Sequence, residues 1–157
     1  MASAPLPGRR GGWARAGAAL AVVLALDQAT KQLAVTAIER GQSNDVFFGL
    51  QLTNTRNTGV AFGFLQGRGI VVGMLIAVAL VLLLIYFALH AARPLLWLPV
   101  GMLLGGAIGN LVDRVREGAV IDFIDPVWWP AFNLADASIV LGVLILLYSI
   151  ERPADAA

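Results

Sequence analysis

Twenty consecutive residues, 70–89, carry no charge, and nothing else in the chain limits its fold as strongly. Wound as an α-helix at about 1.5 Å per residue, twenty residues reach about 30 Å, the thickness of a bilayer's hydrocarbon core. Lipid offers no water to the backbone, so the segment must satisfy its own N–H and C=O groups, which a helix does. Three more apolar stretches accompany it, at residues 16–35, 94–111 and 131–150. Charged residues make up 13% of the chain, against about 25% in a typical soluble domain. These observations predict an all-α integral membrane protein with four transmembrane helices.

The ends and junctions refine that expectation. Residues 1–15 are rich in Pro, Gly and Arg and read as a disordered cytoplasmic N-terminus, and residues 153–157 as a C-terminal tail. The segment from 16 to 152 forms one membrane domain. Arg9, Arg10 and Arg15 before an apolar run suggest a secretory signal peptide. The run continues past Asp27 through Leu33, Ala34 and Val35, however, which is long enough to span. Asp27 and Lys31 lie four apart, on one helical face, and can pair.

Residues 42–66 behave differently. Val46, Phe48, Leu50 and Leu52 sit at alternate positions, the period of a strand. Asn54 to Gly59 has turn chemistry. A small extramembrane β-element is therefore expected between helices 1 and 2, with an apolar face for lipid or a hydrophobic peptide. In the third apolar stretch Gly101, Gly105 and Gly109 recur every four residues, a spacing that lets membrane helices approach closely. Trp128 and Trp129 suit a membrane interface. Four spans put both termini on one side, and the three arginines before helix 1 place that side in the cytoplasm.

Residues 112–141 hold four of the seven aspartates: Asp113, Asp122, Asp125 and Asp136. Ionisable groups at membrane depth are costly, face protein or wet cavities, and mark function. Asp122 and Asp136 flank the start of the last apolar segment, with Pro126, Trp128, Trp129 and Pro130 between them. A chain folded back there brings two carboxylates together, and one pKa then rises. Such a pair can activate water and protonate a leaving group. The same residues would serve a proton or ion pathway, or simple interfacial solvation. Asn57, Asn110 and Asn133 can donate hydrogen bonds to carboxylates. Arg114 is expected to neutralise Asp113 as a scaffold pair.

The chain has no cysteine and one histidine, His90, so a thiolate metal site and a cysteine nucleophile are excluded. A net charge of +1 makes no case for nucleic acid. No metal or cofactor is expected.

Five motifs then occur in order: Asp27-Gln-Ala-Thr-Lys31, Asn54-Thr-Arg-Asn57-Thr-Gly59-Val-Ala-Phe-Gly63, Gly105 to Arg114, Val120-Ile-Asp122-Phe123, and Phe132-Asn133-Leu-Ala-Asp136. In these the sequence resembles the bacterial lipoprotein signal peptidases (signal peptidase II), over nearly all of the folded chain. Val60 stands where that family often has Ala, and Ala137 precedes Ser138 where Ser often follows the aspartate directly.

The resemblance implies a membrane aspartic endopeptidase of the bacterial inner membrane, with its site near the outer surface. It would remove signal peptides from diacylglyceryl-modified prolipoproteins, cutting before the lipid-modified cysteine. Asp122 and Asp136 would be catalytic. Asp27, Lys31, Asn57, Gly59, Asn110, Asp113, Arg114 and Asn133 would bind substrate or support the pair. The β-element would be an extracytoplasmic cradle. The partners would be the prolipoprotein and membrane lipids, and the chain would act as a monomer without a cofactor.

Overall fold

The computed structural model describes residues 7–58 and 69–151. Its elements in order are α1 (Pro7–Ala37), β1 (Ser43–Phe47), β2 (Leu50–Asn57), α2 (Gly69–His90), α3 (Trp97–Glu117), β3 (Val120–Pro126) and α4 (Leu134–Glu151). Four helices therefore stand where four apolar stretches were expected, with a three-stranded antiparallel sheet of order β1-β2-β3 beside them. Among the described residues, α1 and α4 are long and apolar enough to cross a membrane, and α2 adds a shorter apolar helix, Met74–His90.

Helix α3 is the hub. It packs most extensively on α1 and next on α4, and glycines set how closely. A Cβ on Gly101 would lie 2.5 Å from the Ala19 side chain, and one on Gly106 2.6 Å from the Ala135 carbonyl. The glycine stripe is thus a packing surface, with Gly101 and Gly105 against α1 and Gly106 against α4. The outward faces of α1, α2 and α4 expose large apolar side chains such as Leu26, Leu75, Leu82, Leu144 and Leu147.

Helix α1 begins at Pro7, within the stretch expected to be disordered as far as Arg15. Proline suits the first turn of a helix, where its missing N–H costs nothing. The added turns are held by tertiary contact. Arg9 donates to the carbonyl of Ala88, Trp13 meets the Phe87 ring edge-on at 4.7 Å, and Gly12 lies against the Ala91 backbone. His90, the last residue of α2, stacks on Tyr86 at 4.4 Å.

The sheet corrects two further expectations. The alternating run from Val46 to Leu52 is a hairpin rather than one strand, because Phe48-Gly49 turn the chain, with Gly49 at φ 77°. The turn-like residues Asn54 to Asn57 continue β2. Their polar side chains serve tertiary contacts instead, and Asn54 Nδ2 donates to the carbonyl of Ile38 at 2.7 Å. The third strand comes from far along the chain, where Gly118 ends α3 in a left-handed cap (φ 71°) and lets β3 run back beside β2. Gly59 and the rest of the expected β-element to residue 66 lie outside the described residues.

Candidate active site

Strand register brings the first groups together. Asn57 pairs with Val120 across β2 and β3, which makes Asp122 its diagonal neighbour. Asn57 Nδ2 donates to Asp122 Oδ2 at 2.9 Å. Helix geometry supplies the next. Asn110 and Asp113 lie three apart on one face of α3, and Asp27 and Lys31 four apart on α1. Asn133 precedes α4 as its N-cap. Its Oδ1 accepts the N–H of Asp136 at 2.9 Å, and Asp136 Oδ2 accepts the N–H of Asn133 at 3.4 Å. That reciprocal pair is a capping box, so Asp136 is held where helix α4 begins.

Asn133 joins the two carboxylates. Its Nδ2 donates to Asp122 Oδ1 at 2.7 Å, with the Ile121 carbonyl at 3.3 Å and Asn110 Oδ1 at 3.1 Å as further acceptors. Asn110 Nδ2 donates to Asp136 Oδ1 at 2.8 Å. Asp122 is 1% exposed, whereas Asp136 is only half-buried. One carboxylate is therefore enclosed and the other borders open space.

Behind this pair lies a second layer. Lys31 Nζ reaches Asp27 Oδ2 at 2.9 Å, Asp113 Oδ2 at 2.7 Å and Asn110 Oδ1 at 3.0 Å. Asp27 Oδ1 accepts the N–H of Ala135 at 2.9 Å, and Asp113 Oδ2 that of Ile121 at 3.1 Å. Gln28 Nε2 spans Asp27 Oδ2 and Asp113 Oδ1 at 3.2 and 3.0 Å. Gln28 was not among the expected site residues, although it stands between two of them in the first motif.

The expected ion pair of Asp113 with Arg114 does not form. Arg114 points outward, exposed, with its guanidinium on the Asn110 carbonyl at 3.3 Å. Successive helical residues diverge by about 100°, so Asp113 faces inward to Lys31 and Arg114 outward. The structure thus gathers Asp27, Lys31, Asn57, Asn110, Asp113, Asp122, Asn133 and Asp136 and leaves Arg114 at the rim. Gly59 lies outside the described residues.

Burial pushes the Asp122 carboxyl up from 3.8 to about 6. The Asn57 amide opposes the rise, the nearby Asp136 carboxylate adds to it, and Asn133 and Lys31 oppose it more weakly. The arrangement can hold one proton between two carboxylates at mildly acidic pH. Among the described residues no group of three or more His, Cys, Asp or Glu is placed to hold a metal ion. An apolar cavity of about 250 Å³ adjoins β3, lined by Thr30, Leu33, Ala34, Ile38, Leu52 and Phe123.

Comparison with known proteins points the same way. The family model described as signal peptidase (SPase) II matches residues 19–152. A lipoprotein signal peptidase of Moorella thermoacetica is 44% identical over 137 residues, covering 85% of this chain and 90% of the relative. One of Halothermothrix orenii is 39% identical over 130 residues, covering 80% and 88%. A solved bacterial membrane enzyme superposes with a TM-score of 0.75 at 31% identity, over 87% of this chain and 92% of its own.

Proposed function

The chain belongs to the signal peptidase II family, a family of membrane proteases of lipoprotein processing, and on that premise we propose that it is an aspartic endopeptidase acting through Asp122 and Asp136. Its substrate is a diacylglyceryl-modified prolipoprotein, cut just before the lipid-modified cysteine. It crosses the bacterial inner membrane four times, with both termini cytoplasmic and the site near the outer surface, and works as a monomer. The single observation that carries this reading is Asn133, whose side-chain amide donates to the Asp122 carboxylate and whose main-chain N–H donates to that of Asp136.

The acid–base roles follow from the raised pKa. Asp122 holds the dyad's proton, so Asp136 begins as the base. Asp136 takes a proton from water as the water oxygen bonds to the scissile carbonyl carbon. Asp122 passes its proton to the carbonyl oxygen, giving a neutral gem-diol. Asp136 then hands its proton to the amide nitrogen as the C–N bond breaks, and Asp122 recovers one from the diol. One water is consumed, and the dyad ends as it began. Asn57, Asn110 and Asn133 keep the two carboxylates in register without adding charge.

The surroundings suit such a substrate. A signal helix can lie along apolar helix faces, and the cavity beside Phe123 can take an apolar side chain or part of an acyl chain. The test is cleavage of a diacylglyceryl-modified prolipoprotein by the purified protein, with D136N and D122N alongside. Cleavage at the modified cysteine by the wild type alone is expected. Substantial turnover in either variant rejects the dyad.

A further inference from the structure

A lysine ammonium has three N–H donors, and Lys31, only 1% exposed, spends all three on Asp27, Asp113 and Asn110. The carboxylates are equally committed. Asp27 takes the Ala135 N–H on one oxygen and Lys31 with Gln28 on the other. Asp113 takes Gln28 on one oxygen and Lys31 with the Ile121 N–H on the other. Both aspartates are nearly inaccessible, at 0% and 3% exposed. Among the described residues, the three Lys31 donors and every oxygen of Asp27 and Asp113 are thus already engaged inside the protein.

What it does hold is main chain. Asp27 grips the N–H of Ala135, one residue before Asp136. Asp113 grips the N–H of Ile121, one residue before Asp122. Lys31 stands between the two grips and also fixes Asn110, whose amide donates to Asp136. Four segments that are remote in sequence (α1, α3, β3 and the start of α4) thus meet at one ammonium. We propose that Asp27 and Asp113 are positioning residues that set the spacing of Asp122 and Asp136, yoked by Lys31, and that none of the three touches substrate. The inference rests on the peptidase reading and separates these residues from the substrate-binding ones.

Gly109 supplies an independent handle. A Cβ there would collide with Asp27 Oδ2, so G109A displaces that carboxylate while removing no polar group. A displacement of about 1 Å at reacting groups can cost about 10²-fold in rate.

The experiment measures kcat and KM for a diacylglyceryl prolipopeptide in lipid nanodiscs, and separately the affinity for a non-cleavable analogue. The variants are D27A, D113A, D27A/D113A, D27N and G109A, with thermal unfolding to report folding. D27A, D113A and G109A are expected to lower kcat about 10²-fold, with analogue affinity within about 3-fold of wild type. The double variant should lose little more than either single one, because both grips act through one lysine. D27N keeps an oxygen for the Ala135 N–H and should recover about 10-fold over D27A. If the alanine variants do not fold, D27N and G109A carry the test. Analogue affinity falling in step with kcat would make these substrate contacts and overturn the proposal, as would D27A and G109A turning over within about 2-fold of wild type. A folded wild type that does not cleave rejects the peptidase reading instead.

Discussion

Asp27 and Asp113 meet a lysine, whereas Asp122 and Asp136 meet asparagines. The two pairs sit back to back in one polar core, built from the same side chain. A carboxylate against a buried ammonium is fixed by an ion pair, and losing either partner strands a buried charge. A carboxylate held by neutral amides keeps its geometry without a counter-charge beside it. The first arrangement suits a fastener and the second an acid–base group. Burial raises the pKa of Asp122, and Lys31, engaged with the other pair, opposes that rise only weakly.

The comparison breaks most sharply at the dyad. D122N or D136N is expected to lower kcat by about 10³-fold or more, with folding and membrane insertion retained, as read by peptide cleavage and thermal unfolding in detergent. The fastener should fail by a different route. K31M leaves Asp27 and Asp113 buried without their cation and should cost about 3–5 kcal/mol of stability. A K31M protein as heat-stable as wild type would show that the ion pairs hold nothing together.

A subtler change sharpens the distinction. The protonated form of Asp122 that activity needs is lost as pH rises through about 6, which gives kcat/KM an alkaline limb there. The Asn57 hydrogen bond opposes the upward shift, so N57A should move that alkaline limb of kcat/KM to higher pH, with a moderate loss of rate. An unmoved limb would take Asn57 out of the acid's environment. The smallest effect belongs to Arg114, which is exposed and, among the described residues, bonded only to a main-chain carbonyl. R114A should change stability by no more than about 0.5 kcal/mol. If it raises KM with kcat preserved, Arg114 is a substrate contact at the rim.

Much of this site was legible because its parts are local. Asp27 with Lys31 follows from a four-residue spacing, and the helices follow from uninterrupted apolar runs. Asp122 and Asp136 stood out as carboxylates in an apolar chain and as parts of ordered motifs. The partner of Asp113 was misassigned to Arg114 because adjacency in sequence is not adjacency on a helix. Gln28 was passed over because an amide between two charged motif residues carries no signal until both neighbours are placed. The sheet was only half foreseen, since β3 pairs with a strand about seventy residues earlier, and pairing at that range leaves no periodicity to read.

By itself, then, the sequence determined the apolar helices, the Asp27–Lys31 pair, the candidate dyad and the family. Each of these rests on spacing within a helix or on motif order. Only the tertiary structure decided that α1 starts at Pro7, that β3 completes the sheet, and that one lysine joins the supports of both dyad members. The first rests on contacts with α2 and the second on the Gly118 cap, whereas the third depends on how closely α1 and α4 approach α3. The approach is set by glycines whose missing side chains matter only once the helices are packed.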